Sequence, residues 1–248
     1  LFHAFPSQFK NGLLGVDLFF AISGYVITPK ILAVISSGRG GVVKRSKDFY
    51  LRRFRRLTPA LAVMIIFSLP AILLLGPISD HKRAFTQALA GQIGIANFSA
   101  YFLAGNYFHP NPNPYTHAWS LSVEQQIYLI LPWILLLGRK LFKINFRNIL
   151  AFLTGCSFLI FQYPSIMIPI YRILGFPNLD SISFYSTTNR FWEFGLGGLI
   201  SLLSLQKLRF THRALYLVSL LILICLIFLN FGTTNHLSNV LVVLLACF

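Results

Sequence analysis

The chain has 248 residues, 56% of them hydrophobic and 11% charged, with a mean hydropathy of +0.69 and a net charge of +15. Soluble domains carry roughly 25% charged residues, so an ordinary soluble globular domain is excluded and an all-α, polytopic transmembrane helical bundle is expected. The strand alternation of a membrane barrel is absent. The positive charge lies in loops between apolar runs, a distribution that argues against nucleic acid as a partner and for the lipid bilayer.

Apolar runs near the roughly 20 residues that cross the hydrocarbon are predicted at 13–36, 57–76, 119–138, 148–168, 189–205, 213–231 and from 238 onward. The chain opens inside apolar sequence without an initiator Met, and its last apolar run is short. We therefore expect one transmembrane domain over 1–248, truncated at both ends, with neither a signal peptide nor a separate soluble domain. Fifteen of the 21 Lys and Arg residues fall in 39–56, 139–147 and 206–213. Excess cations mark the cytoplasmic side, so these loops are assigned inside, and 105–118, 169–188 and 232–237 outside. A full span at 84–104 would reverse the 139–147 loop. That run is interrupted by Gln87, Gln92, Asn97, Ser99 and two glycines, and is expected to be re-entrant or protein-buried.

Only six acidic residues occur, and Asp17, Glu124 and Glu193 lie in or against these apolar runs. A carboxylate at membrane depth costs about 2.5–3.5 kcal/mol on insertion scales, so each is expected to face protein, a cation or a polar pathway. Cys156, Cys225 and Cys247 read as small hydrophobes. The six histidines lack spacings that put two ligands on one helical face, and no metal is expected.

Four constellations carry possible chemistry. His3 is followed by the run Gly15 to Tyr25; the histidine is either a proton acceptor oriented by Asp17 or simply a packed or water-facing ring. In 49–60, Arg53 and Arg56 are three apart on one helical face, fit either to clamp phosphates or to meet lipid headgroups. In 116–128, His117, Trp119, Ser120 and Glu124 mark an outer loop turning into a helix. They either converge on one outward cavity or form a capped helix with an interfacial Trp. In 189–198, Arg190 and Glu193 share a helical face beside small residues, as a structural charge pair or as the lining of a substrate path.

Taken in order, the F-H-A around His3, the G-V-D-L-F-F-A-I-S-G-Y-V-I of 15–27, the F-Y-x-R-R-x-x-R-L-x-P of 49–59, the H-x-W-S-L-S-V-E-Q-Q of 117–126 and the R-F-W-E of 190–193 resemble the acyltransferase 3 family. Those membrane proteins O-acylate cell-surface glycans such as lipopolysaccharide, exopolysaccharide or peptidoglycan. The resemblance implies a bundle of about ten helices that takes an acetyl or related acyl group from cytoplasmic acetyl-CoA to a glycan hydroxyl, in the bacterial inner membrane. It implies that His3 is the essential histidine, that Arg53 and Arg56 engage the donor, and that Glu124 shapes the acceptor or acyl channel. A family arginine about eleven positions before the histidine would lie upstream of Leu1. Gln125 stands where a second Glu often follows. The competing class is an exporter of a lipid or glycan intermediate, which would use the same charges as a polar path; no internal inverted repeat supports it.

Overall fold

The computed structural model describes residues 14–36, 42–104, 114–176 and 179–203, and among them every regular element is helical. The helices are α1 (Leu14–Ser36), α2 (Val42–Leu75), α3 (Ile78–Gln92), α4 (Ala96–Ala104), α5 (Ala118–Phe142), α6 (Phe146–Gln162), α7 (Ile168–Ile173), α8 (Leu179–Tyr185) and α9 (Thr187–Leu202), with 3-10 turns at Pro114–His117 and Pro164–Met167. His3 and the predicted spans at 213–231 and from 238 lie outside the described residues.

Among the described residues three helical stretches are long and apolar enough to cross a membrane, Gly15–Ser36, Lys44–Leu75 and Tyr115–Phe142, which fits the expected all-α membrane bundle. The 34 residues of α2 are about 51 Å long at about 1.5 Å per residue, well beyond a hydrocarbon core of about 30 Å. Its arginine-rich first half therefore extends past the apolar half, where Val63, Ile66, Phe67, Leu74 and Leu75 are exposed as a lipid-facing surface would be.

The apolar run predicted at 148–168 is bent: its two parts are together long and apolar enough for a further span, but they do not form one straight helix. Helix α6 stops at Gln162 and the chain turns by 101° into the stretch Pro164–Ile173. Pro164 lacks an amide hydrogen and its ring disfavours a helical conformation for the residue before it; Tyr163 accordingly sits at φ −126°, ψ 72°. The segment 84–104 is likewise broken. Gly94, at φ 76°, separates the 15-residue α3 from the 9-residue α4, and neither reaches the length of a span. Gln87 and Asn97, which weaken the apolar run, are buried in protein.

The backbone falls into two compact units. Among the described residues the first comprises 14–32, 138–162 and 191–203. Here small residues set the packing. A Cβ on Gly24 would strike the Phe194 carbonyl, one on Gly197 the Ala21 carbonyl, and one on Gly198 the Thr28 hydroxyl, so α1 and α9 meet backbone to backbone. A Cβ on Gly195 would meet Thr154 of α6. Trp192 fills the resulting core with Ala21 and Ile200 and packs edge-on against Phe158 and tilted against Phe161. Its backbone amide donates to Ser157 Oγ at 2.9 Å.

The second unit comprises Ala33–Leu137 and Tyr163–Arg190. Helix α3 packs on α2, α4 and the 114–117 turn, and α4 on α8. Ala84, Ala88 and Tyr115 form a cluster edged by Ile65, Leu69 and Ile72 of α2. The Tyr115 hydroxyl shares a 2.8 Å hydrogen bond with Ser68, whose own hydroxyl donates to the Met64 carbonyl.

Candidate functional site

The second unit holds most of the residues singled out in the sequence. Helix α2 carries Phe49 and Arg53 four residues apart, hence on one face, and that face meets Tyr128 of α5. The Arg53 guanidinium carbon lies 5.4 Å from the Tyr128 ring centre and 5.8 Å from that of Phe49, within cation–π range of both. The two rings are edge-on to each other at 6.5 Å. The Tyr50 hydroxyl donates to the Leu129 carbonyl at 3.1 Å, fixing the register of α2 against α5. Arg56 is exposed. The expected arginine pair is thus divided in placement: Arg53 is seated on aromatic faces and Arg56 is exposed.

From Tyr128 the contact continues one turn back along α5. Its hydroxyl donates a hydrogen bond to Glu124 Oε1, and Glu124 is only 5% exposed. The carboxylate also lies within electrostatic reach of Arg53. A buried carboxylate is tolerated when hydrogen-bonded and near a cation, and this one has both. The result is a continuous string, Arg53 to Tyr128 to Glu124, running from the cationic half of α2 to the first turns of α5. The 124/128 spacing that builds it is present in the sequence, which by itself gives Tyr128 no role.

The turn before α5 positions the remaining members of that motif. His117 is exposed at the end of the Pro114–His117 turn, and Ser120 Oγ reaches its carbonyl at 3.5 Å. Such a bond is ordinary for a first helical turn, and it supplies no base to activate the hydroxyl. Ser122 accepts from the Ala96 amide at 3.0 Å and so caps α4.

Around Glu124 the polar side chains are linked. Gln126 Nε2 donates to the Gly94 carbonyl at 2.9 Å and to Asn97 Oδ1 at 2.8 Å, while its Oε1 accepts from Thr187. Asn97 Nδ2 donates to the Tyr185 carbonyl at 3.2 Å. Gly94 has its backbone against Gln125, whose amide oxygen a Cβ would strike. This amide network escaped the sequence reading. Its only sign there was the polar interruption of 84–104.

Arg190 meets Trp119, a partner from a different motif. Its Nε donates to the Phe184 carbonyl at 3.2 Å, and its guanidinium lies 4.9 Å from the Phe184 ring centre and 5.7 Å from that of Trp119. Trp119 is buried and packs against Phe184 and Tyr185. Tyr171 adds a hydroxyl cluster with Ser186, Thr188 and Asn189 at 2.9–3.1 Å. In the first unit, Glu193 is fully buried on α9, and Asp17, 4% exposed, stands in the first turn of α1, where the positive helix end favours it. His3, the proposed partner of Asp17, lies outside the described residues.

Comparison with known proteins places this geometry. The family described as an acyltransferase domain, acyltransferase 3, matches residues 1–248. The peptidoglycan O-acetyltransferase OatA of Listeria monocytogenes is 34% identical over 160 residues, 64% of this chain and 25% of OatA. YrhL of Bacillus subtilis, provisionally named a peptidoglycan O-acetyltransferase, is 29% identical over 211 residues, 82% of this chain and 31% of YrhL. A Staphylococcus aureus (strain COL) protein provisionally named an O-acetyltransferase is 36% identical over 152 residues, 59% of this chain and 24% of that protein. The chain therefore spans only about a quarter to a third of these curated relatives. No solved structure matches it. With the match running from Leu1 to Phe248, the chain belongs to the acyltransferase 3 family.

Proposed function

We propose that this chain transfers an acetyl group from cytoplasmic acetyl-CoA to a hydroxyl of a cell-surface glycan, with peptidoglycan as the acceptor class, and that it works as a multi-pass protein of the bacterial inner membrane. The observation that carries this reading is the Arg53–Tyr128–Glu124 string, found in a chain that matches an acyltransferase family along its whole length. The names of OatA and YrhL support the acceptor class.

The roles follow the chemistry of the side chains. Exposed Arg56 and neighbouring Arg52 offer guanidinium forks to the phosphates of coenzyme A, and Arg53 holds the rim of that site through its aromatic seat. His3, oriented by Asp17, takes the proton of the acceptor hydroxyl. The hydroxyl oxygen then bonds to the acetyl carbonyl carbon, the carbon–sulfur bond breaks, and the thiol of coenzyme A leaves with a proton. Glu124, fixed by Tyr128, shapes the polar passage. His117, Trp119 and Ser120 line the acceptor side, and Arg190 and Glu193 bring further charge to the bundle interior.

The test uses the full-length protein in membrane vesicles, with acetyl-labelled coenzyme A and peptidoglycan. Label enters the glycan with the parent and not with His3→Ala at equal expression. Transport of a glycan intermediate without any acetyl transfer would replace this reading with that of an exporter, and transfer retained by His3→Ala would remove the histidine from its role.

A further inference from the structure

One group of polar side chains takes no part in the string or the amide network. Helix α3 presents Ala84, Gln87, Ala88 and Gly91 as one buried stripe, since residues three and four apart share a face. The stripe faces the turn that leads into α5: Ala84 and Ala88 pack with Tyr115, and a Cβ on Gly91 would lie 3.5 Å from Ala118. In the middle of this apolar contact stands Gln87, 1% exposed, with neither its amide oxygen nor its amide nitrogen hydrogen-bonded. Thr116, 2% exposed on the facing turn, likewise has an unpaired hydroxyl. One turn before Gln87 on the same side, Arg83 is half-buried with its Nε unpaired.

Native proteins pair almost all buried polar groups. Tyr115, in the same cluster, pairs with Ser68. Single hydroxyls such as those of Ser46 and Ser99 are also unpaired, but Arg83, Gln87 and Thr116 gather four unpaired polar atoms on one helix and the turn packed against it. Their chemistry is complementary to a particular kind of group. The guanidinium Nε–H edge pairs with a carboxylate, the amide offers two donors and one acceptor, and the hydroxyl offers one of each.

We infer that Arg83, Gln87 and Thr116 form a subsite that binds a carboxylate-bearing sugar of the acceptor glycan. This rests on the acetyl-transfer reading and adds a substrate preference to it: acidic glycans over neutral ones. The subsite lies on the middle turns of α3, the helix that follows the outer end of α2, and beside the turn entering α5, which the loop charges assign outward. It binds without reacting, so its residues govern acceptor affinity and leave the donor untouched.

The experiment measures acetyl transfer by the full-length protein in vesicles, with soluble peptidoglycan fragments as acceptor, either carboxylated or with those carboxyls amidated. For the parent, amidation raises the acceptor KM by about tenfold, the scale of one charge-assisted pair. Arg83→Gln and Gln87→Met raise it by about as much with the carboxylated fragment, change neither kcat nor the KM for acetyl-CoA, and have little effect with the amidated one. Gln87→Met also raises thermal stability, because it removes a buried unpaired amide. A gain in stability with an unchanged acceptor KM would overturn the inference and leave these atoms to structural water. So would equal losses with both acceptors, or an Arg83→Gln effect that follows anionic lipid and ignores the glycan carboxyl. Failure of the parent to transfer acetyl to any glycan would instead overturn the function on which the inference rests.

Discussion

The two compact units are built on opposite solutions to the same problem. In the first, α1, α6 and α9 are drawn together by Gly24, Gly195, Gly197 and Gly198, and the contact is backbone against backbone. In the second, α2, α4, α5 and the start of α9 are joined by side-chain polar groups: Arg53 on Tyr128, Tyr128 to Glu124, and Gln126 to Asn97 and Thr187. Lipid tails are as apolar as leucine, so neither unit is driven together mainly by the hydrophobic effect. The first gains van der Waals contact where no side chain intervenes. The second accepts the cost of buried polar groups, and it is the unit that holds most of the residues of the proposed site.

The comparison breaks most visibly at a glycine. Gly197→Leu drives a side chain into the Ala21 carbonyl, which only helix separation relieves, and is expected to cost on the order of 3 kcal/mol. Little monodisperse protein should then be recovered in detergent, whereas a normal yield and melting temperature would show that the close approach is not essential. In the second unit, Gln126→Leu strips partners from Asn97, Thr187 and the Gly94 carbonyl and should cost about 1–3 kcal/mol, read as a lowered melting temperature. Tyr128→Phe keeps the ring under Arg53 and removes only the hydroxyl to Glu124. A loss of about 1.5 kcal/mol is expected, with acetyl transfer falling further than the stability change explains. At the small end, Gly155 on α6 has open space around its missing Cβ, so Gly155→Ala should be neutral or stabilise by about 0.5–1 kcal/mol. That variant distinguishes glycines that pack from glycines that do not.

Much of this was legible in the amino-acid order, for a physical reason. Crossing a membrane demands long apolar runs, so α1, the apolar half of α2, and α5 could be located from composition alone. The break in 84–104 was foreshadowed by its glutamines, asparagine and glycines. The bend at Tyr163 also has a sign in the chain, since Pro164 disfavours a helical Tyr163, but Pro29, Pro59, Pro70 and Pro132 lie inside helices that continue, so a proline alone does not locate a break. The site was legible only residue by residue. Intramembrane Glu124 and Glu193 announced themselves because burial of a carboxylate needs a reason. Their partners did not: Tyr128 is one tyrosine among ten, and the meeting of Arg190 with Trp119 joins residues 71 positions apart. Local spacing cannot report a long-range contact between motifs.

The most direct test of the account replaces Glu124 with Gln in the full-length protein and follows acetyl from labelled coenzyme A into peptidoglycan in vesicles, at matched levels of folded protein. Glu124→Gln keeps the size and the hydrogen bond with Tyr128 but removes the charge near Arg53. The account predicts that transfer falls by about 100-fold, the scale of losing one preorganised electrostatic contact, while the helical content and melting temperature stay close to the parent. Parental transfer rates in Glu124→Gln would contradict it, and would reduce the Arg53–Tyr128–Glu124 string to a packing device.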